Sequence, residues 1–375
     1  MFILFYFTGF CSIIIYSFFN NNEHAYKVLV AILVLLIFII SINSGGGDLE
    51  NYERYFYGLR SDFIITSQWL NDFLKLFIKL IFNESNLQGM PLKIEPEYSS
   101  LMNEYLQENH YGFIFYKIIT HIVFILGGFS LINSTSYFKV NMTKILFLLL
   151  PITMTFMTSS IEQSLSLGIV FFALSKIQDS KFYFILLLFI AGFIHWSSWM
   201  YIPLVFYDRK IFLEYLILSL IFILLFRITN LDIVLLAKSL IINLNIYLES
   251  NFIDMLTENI EDAMRADDRN LNWHHIYLSS VLVLFSFISY FRFRILLNSN
   301  NKKKSILLIS TLGILMVTSL IFEHVDNYIV RLSAVIKIIS LICFMNTIYC
   351  INKHTQLVNM SLGFILVMLG VYSFN

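Results

Sequence analysis

Long apolar runs separated by short polar breaks fill most of this chain. Ten of them, 2–19, 26–43, 112–133, 145–160, 164–177, 211–227, 274–291, 305–322, 328–349 and 357–374, read as membrane-crossing segments, since about 17 to 25 apolar residues bridge a bilayer. The pattern predicts helices, because a segment in hydrocarbon must satisfy its own backbone hydrogen bonds. An eleventh run, 182–207, is interrupted by His195 and flanked on both sides by basic residues, Lys176 and Lys181 before it and Arg209 and Lys210 after it. A single crossing would send one basic cluster outward. Two half-helices meeting at His195 keep both clusters on the cytoplasmic side, where the other basic positions, from Lys27 and Lys139 to Lys302 and Lys353, then also fall. Both termini are then expected outside, with about twelve traverses. His195 sits at the floor of an outward-facing cleft, because irregular backbone at membrane depth is tolerated where it lines a cavity.

Two long polar-containing segments, 44–111 and 228–273, are expected as outward-facing loops. The first contains DFIITSQWLNDFLKLFIKLIF (62–82), with apolar residues at helical spacing and Asp72, Lys75 and Lys79 among them. This predicts an amphipathic helix lying on the membrane face. The second loop carries a similar pattern and ends in a charged run. No internal repeat is visible, which argues against transporters built from inverted repeats. The chain therefore reads as one integral membrane domain over 1–375, all-α and polytopic, with about 10 to 12 transmembrane helices including a broken pair around His195.

Composition supports that picture and removes other classes. The chain of 375 residues is 58% hydrophobic and 13% charged, about half the charge of a soluble protein, for which roughly 25% is usual. Its 25 basic and 25 acidic residues cancel, so no nucleic-acid partner is suggested. Cys11, Cys343 and Cys350 lie in apolar runs, where cysteine acts as a small hydrophobe, and no disulfide framework or metal site is indicated. His274 and His275 lack companion ligands at zinc spacing. The first run has no basic n-region and no clear cleavage site, and reads as a retained helix rather than a signal peptide.

Ionisable groups within apolar spans are costly and mark functional candidates. Glu162 and Gln163 stand at the outer end of a span, in TSSIEQSLSLG. The structural reading of Glu162 is an acidic residue favoured by the helix N-terminus, with Ser159 or Ser160 as cap. His195 is followed by Trp196 in FIHWSSWMYIP. Arg331 lies in a late span, shortly after Glu323 and Asp326. It suits either an internal ion pair, with Asp326 or Glu162, or a phosphate clamp. Lys117 is expected to snorkel outward and Lys337 to pair within the bundle. In SGGGDLENYERYFYG, Asp48, Tyr52 and Tyr55 share one helical face. Asp48 also fits a helix cap, and Glu50 with Arg54 a surface pair. Glu95 stands in KIEPEYSSLMNEYL and Arg265 in the charged run of the second loop, where solvation alone explains much.

Taken in order, GGGDLENYERYF, EPEYSSLMNEYL, IEQSLSLG followed by FIHWSSWMYIP, and VRLSAV resemble the EpsG/Wzy-type family of bacterial polysaccharide polymerases. One position departs: many members carry Arg where Glu162 stands, which moves the phosphate role toward Arg331 and Arg265. The resemblance implies a GT-C-like, inverting, metal-independent glycosyltransferase of the bacterial inner membrane, without a cofactor, its site facing outward. Its substrate would be an oligosaccharide on undecaprenyl diphosphate, its surroundings the lipid bilayer, and a chain-length regulator a possible partner. Glu162 or His195 would orient or deprotonate the acceptor hydroxyl and Arg331 would stabilise the leaving diphosphate. Asp48, Tyr52, Tyr55, Glu95, Gln163, Trp196, Arg265 and Glu323 would meet substrate. A lipid-linked oligosaccharide flippase, an O-antigen ligase and a membrane O-acetyltransferase are the competing readings. The long loops argue against the flippase.

Overall fold

The computed structural model describes residues 2–18, 23–43, 56, 69–82, 111–137, 140–150, 153, 156, 161–228, 273–294, 297–321 and 326–351. Among these, all regular structure is helical. The elements are α1 (Phe2–Phe18), α2 (Glu23–Asn43), α3 (Trp69–Phe82), α4 (Tyr111–Thr135), α5 (Val140–Leu149), α6 (Ile161–Lys176) and α7 (Lys181–Ile194). A 3-10 helix (Trp196–Phe206) follows, then α8 (Lys210–Ile228), α9 (Trp273–Phe293), α10 (Ser299–Ile321) and α11 (Asp326–Ile351). Helices α2, α4 and α10 are long and apolar enough to cross a membrane. The run 357–374 lies outside the described residues.

Most helices coincide with the apolar runs, with ends shifted by a few residues. The run 145–160 does not. Helix α5 starts at Val140 and stops at Leu149. Pro151 explains the stop: it has no N–H, and it disfavours helical backbone in the residue before it. The Phe147 carbonyl accepts instead from Thr153 Oγ1 at 2.7 Å.

The chain divides into two compact units, one running to Ile202 and the other Pro203–Ile351. In the first, α4 and α6 are the central pair. They approach so closely that a Cβ on Gly127 would stand 2.0 Å from the Gly168 carbonyl oxygen. Small residues let helix backbones touch where lipid offers no hydrophobic drive between helices. Ser130 Oγ donates to Ser175 Oγ at 2.8 Å across the same interface. Helix α5 packs on α4, α1 on α5, and α2 on both α4 and α5. Helix α7 packs on α6, and α3 lies against α4 and α7.

In the second unit, α9, α10 and α11 pack on one another and α8 packs on α10. Some hydroxyls here bond back into their own helices: Ser286 donates to the Leu282 carbonyl and Thr311 to the Leu307 carbonyl, each at 2.8 Å. Such back-bonds satisfy a polar group in an apolar setting without a cross-helix partner.

Candidate functional site

The first feature of the site is the break at His195. Ser180 caps α7, accepting from the Tyr183 N–H. The helix ends at Ile194, and His195 turns extended, with φ −150° and ψ 120°. Its N–H still donates to the Ala191 carbonyl at 2.9 Å, so no donor is lost at the turn. The chain continues as 3-10 turns through Trp196–Phe206. A 3-10 run of this length is uncommon, and the geometry marks special positions within helical segments. Half-helices meeting at His195 are what the flanking charges predict.

Trp199 shows how the break is held. Its indole lies back along the last turns of α7, edge-on to Phe189 and Phe193 with ring centroids 5.0 and 5.6 Å away. The ring occupies the space that a Cβ on Gly192 would need, approaching within 2.4 Å of that position. Ser166 of α6 donates to the Ala191 carbonyl at 2.9 Å and also bonds the Ser198 hydroxyl. The break is thus pinned to α6 one turn after Glu162.

His195 itself is buried. Its Nδ1 lies 2.7 Å from Ser197 Oγ, and the Ser197 N–H points at the same nitrogen at 3.4 Å. A nitrogen that receives an N–H is an acceptor, so the neutral ring carries its proton on Nε2. In this tautomer His195 offers a donor rather than a base at Nε2.

The second feature comes from α3. Asn71, Lys75 and Lys79 recur every four residues and form one stripe. This stripe faces protein: all three side chains are buried. Tyr116 Oη donates to Asn71 Oδ1 at 2.6 Å, and Lys79 Nζ stands 5.3 Å over the Phe56 ring. Lys75 makes an ion pair with Glu162, in the first turn of α6, and lies 4.0 Å from Asp72. Phe56, Ile78, Phe113, Tyr116, Ile161, Leu165 and Ile194 close an apolar cluster beside this pair. A carboxylate and an ammonium are therefore held at low dielectric, next to the His195 break.

The structure changes three expectations. The helix within 62–82 exists, but its polar side meets α4 and α6 instead of water. Lys117 does not snorkel; it is buried, its Nζ 5.5 Å from the Phe113 ring centroid. Glu162, for which the sequence offers Arg331 as a partner, is paired with Lys75 of its own unit. Helix rotation decides each case, since burial follows the face a residue occupies rather than its distance from the helix end.

Glu162, Gln163 and His195 are thus brought to one region of the first unit. Gln163 is buried, and no described group hydrogen-bonds its Oε1. Arg331 lies in the second unit, on α11, half-buried. The backbone of Trp196 is described but its side chain is not. Asp48, Tyr52, Tyr55, Glu95, Arg265 and Glu323, and the proposed caps Ser159 and Ser160, lie outside the described residues. Of the GGGDLENYERYF stretch only Phe56 is described, fully buried in the apolar cluster. Lys75 is the site residue that sequence reasoning passed over. Its signal was present in the four-residue spacing with Asn71 and Lys79, but nothing local names its partner 87 residues away.

No curated protein and no solved structure matches this chain. The model of the EpsG family, a group of polysaccharide polymerase-like proteins, matches residues 26–375, nearly the whole length. A broken helix, a half-buried carboxylate beside it and a helical membrane scaffold accord with that match, and the chain belongs to the EpsG family.

Proposed function

We propose that this protein is a membrane-embedded polysaccharide polymerase that moves a growing glycan from undecaprenyl diphosphate onto a sugar hydroxyl of another lipid-linked repeat unit. The observation that carries the reading is the Glu162–Lys75 pair beside the His195 break, in a chain of the EpsG family. In this reaction the acceptor oxygen forms a bond to the anomeric carbon, the bond to the diphosphate oxygen breaks, and the configuration inverts. The acceptor proton must go to a base, and the diphosphate leaves with its negative charge. Glu162 is assigned as that base, because its carboxylate is held by the Lys75 ammonium beside the His195 break. His195 is assigned as a donor that orients a sugar hydroxyl through Nε2–H, its Nδ1 being held by Ser197. Gln163 Oε1 is an acceptor for a further hydroxyl.

The leaving group needs cationic stabilisation rather than activation. Arg331 is proposed for that role from its guanidinium chemistry, and Arg265 as a second candidate. Asp48, Tyr52, Tyr55, Glu95, Trp196 and Glu323 are proposed as sugar contacts. The site is proposed to face outward from the bacterial inner membrane in a GT-C-like scaffold that works without a metal, alongside a chain-length regulator.

Deletion of the gene, followed by a gel of surface polysaccharide, tests the reading. Loss of the long ladder with a single repeat retained is the expected result. An unchanged ladder sinks the reading, and loss of every repeat points instead to the flippase or ligase.

A further inference from the structure

Helix α3 has an arrangement that neither a soluble helix nor a surface-lying membrane helix shows. Its polar stripe, Asn71, Lys75 and Lys79, faces protein, and Lys79 is only 2% exposed. Its opposite face, Phe73, Phe77, Leu80 and Ile81, is bare, with Leu80 78% exposed. A helix lying in the headgroup region turns its polar side to water and its apolar side to lipid. Here the polar side is already taken by Tyr116 and Glu162, and the rest of the surface is apolar apart from Asp72, which the Lys75 ammonium approaches at 4.0 Å.

The bare face also continues onto a membrane-crossing surface. Phe82, at the end of α3, packs on Phe115 of α4 with ring centroids 5.4 Å apart. Along α4, a helix able to span the bilayer, Tyr111, Phe115, Ile122 and Leu126 form an exposed row at three- to four-residue multiples. Hydrocarbon that covers this row reaches the face of α3 without a gap in apolar character.

We infer that α3 is submerged in the hydrocarbon of the bilayer, its Phe73–Phe77–Leu80–Ile81 face covered by acyl chains, and forms the lipid-side wall of the Glu162–Lys75 pair. Its 14 residues measure about 21 Å at 1.5 Å per residue, short of the roughly 30 Å hydrocarbon core. The helix therefore dips into the bilayer without crossing it. The segment 44–111 then is not a wholly aqueous loop, and lipid rather than water shields the ion pair from the side.

Spin labels read this directly. In full-length protein with Cys11, Cys343 and Cys350 replaced by alanine, nitroxides are attached at Phe77→Cys and at Leu80→Cys. A label at Lys303→Cys, exposed at the start of α10, is the aqueous reference. In nanodiscs of phosphatidylcholine and phosphatidylglycerol, oxygen should relax the α3 labels several-fold more than a water-soluble nickel chelate, the reverse of the reference. A nickel response equal to the reference, a depth at the headgroups, or an immobile label that neither relaxer reaches each overturns the inference. The last outcome would show protein, including a second copy, on this face. Should labelled protein fail to purify, Leu80→Trp gives depth by quenching with acyl-brominated lipid, and no quenching beyond that of the parent overturns it equally. Neither readout depends on glycan transfer, so the inference and the polymerase reading fail separately.

Discussion

Helix α6 is held by two opposite chemistries. Its middle and far end meet α4 through Gly127, Gly168, Ser130 and Ser175, which are small and uncharged. Its first turn meets α3 through Glu162 and Lys75. Glycine and serine let backbones touch, and the gain is van der Waals contact plus a modest hydrogen bond. Burying two ions instead carries a desolvation penalty of several kcal/mol per ion, which their attraction only partly repays. An apolar pair would hold α3 to α6 as well or better. The contrast separates an interface that the fold needs from one that we propose serves the chemistry.

Breaking the small-residue crossing has the largest effect. Gly127→Leu must part the α4 and α6 backbones, because its Cβ alone would sit 2.0 Å from a carbonyl oxygen. Overpacking a tight core costs about 1–3 kcal/mol, more when backbone must move, and this crossing is at the centre of the unit. The expected outcome is little or no monodisperse protein after detergent extraction. Recovery and Tm equal to the parent would show that the crossing is loose.

The charged contact should behave in the opposite way, with the fold kept and activity lost. Glu162→Gln preserves size and removes the proposed base, and polymer formation should fall about 10²–10⁴-fold at unchanged protein level. Lys75→Met leaves a half-buried carboxylate without its partner, and should cost about 1–3 kcal/mol. Adding Glu162→Gln to Lys75→Met should restore part of that stability while activity stays lost. Additive stabilities in this double-mutant cycle would mean that the two charges are not coupled.

The extent to which this division was legible follows from what local pattern encodes. Apolar length predicted helices near α1, α2, α4 and α8–α11, of which α2, α4 and α10 are long and apolar enough to cross a membrane, because crossing a bilayer is a local constraint. The flanking charges around 182–207 gave the break at His195 for the same reason. The stripe of α3 was equally legible as a stripe, but periodicity fixes only which residues share a face, not what medium lies against it. Water, lipid and protein each satisfy part of the pattern WLNDFLKLFIKLIF. Lys117 was misassigned on the same ground, since a lysine near a helix end snorkels only if its face is outward. Pairings over long separations, Lys75 with Glu162 and Gly127 with Gly168, are written in no single segment.

A smaller effect is expected where the break meets α6. His195→Ala removes the acceptor for Ser197 and the Nε2–H donor together, and should lower polymer formation about 10²-fold, the lower end of general acid–base contributions. His195→Gln, which can place an N–H near the Nε2 position, should recover part of the loss. Equal activities for the two variants would deny the donor role, whereas a loss shared with reduced protein level would assign His195 to structure.

The smallest effect lies at the serine pair, and its asymmetry can be read from the donors. Ser175 gives its one hydroxyl proton to the Phe172 carbonyl at 2.7 Å, so towards Ser130 it acts only as acceptor. Removing it by Ser175→Ala leaves the Ser130 hydroxyl without that acceptor across the interface. Removing Ser130 instead leaves Ser175 with its own-helix bond intact. Interhelical hydrogen bonds in membrane proteins average about 0.6 kcal/mol, so Ser175→Ala should lower stability by about that amount and Ser130→Ala by less. Thermal unfolding of the two variants in the same detergent measures the difference. A reversed order would mean that the Ser130 hydroxyl finds a carbonyl of its own helix, as Ser286 and Thr311 do, and that the charge-free crossing is held by glycine packing alone.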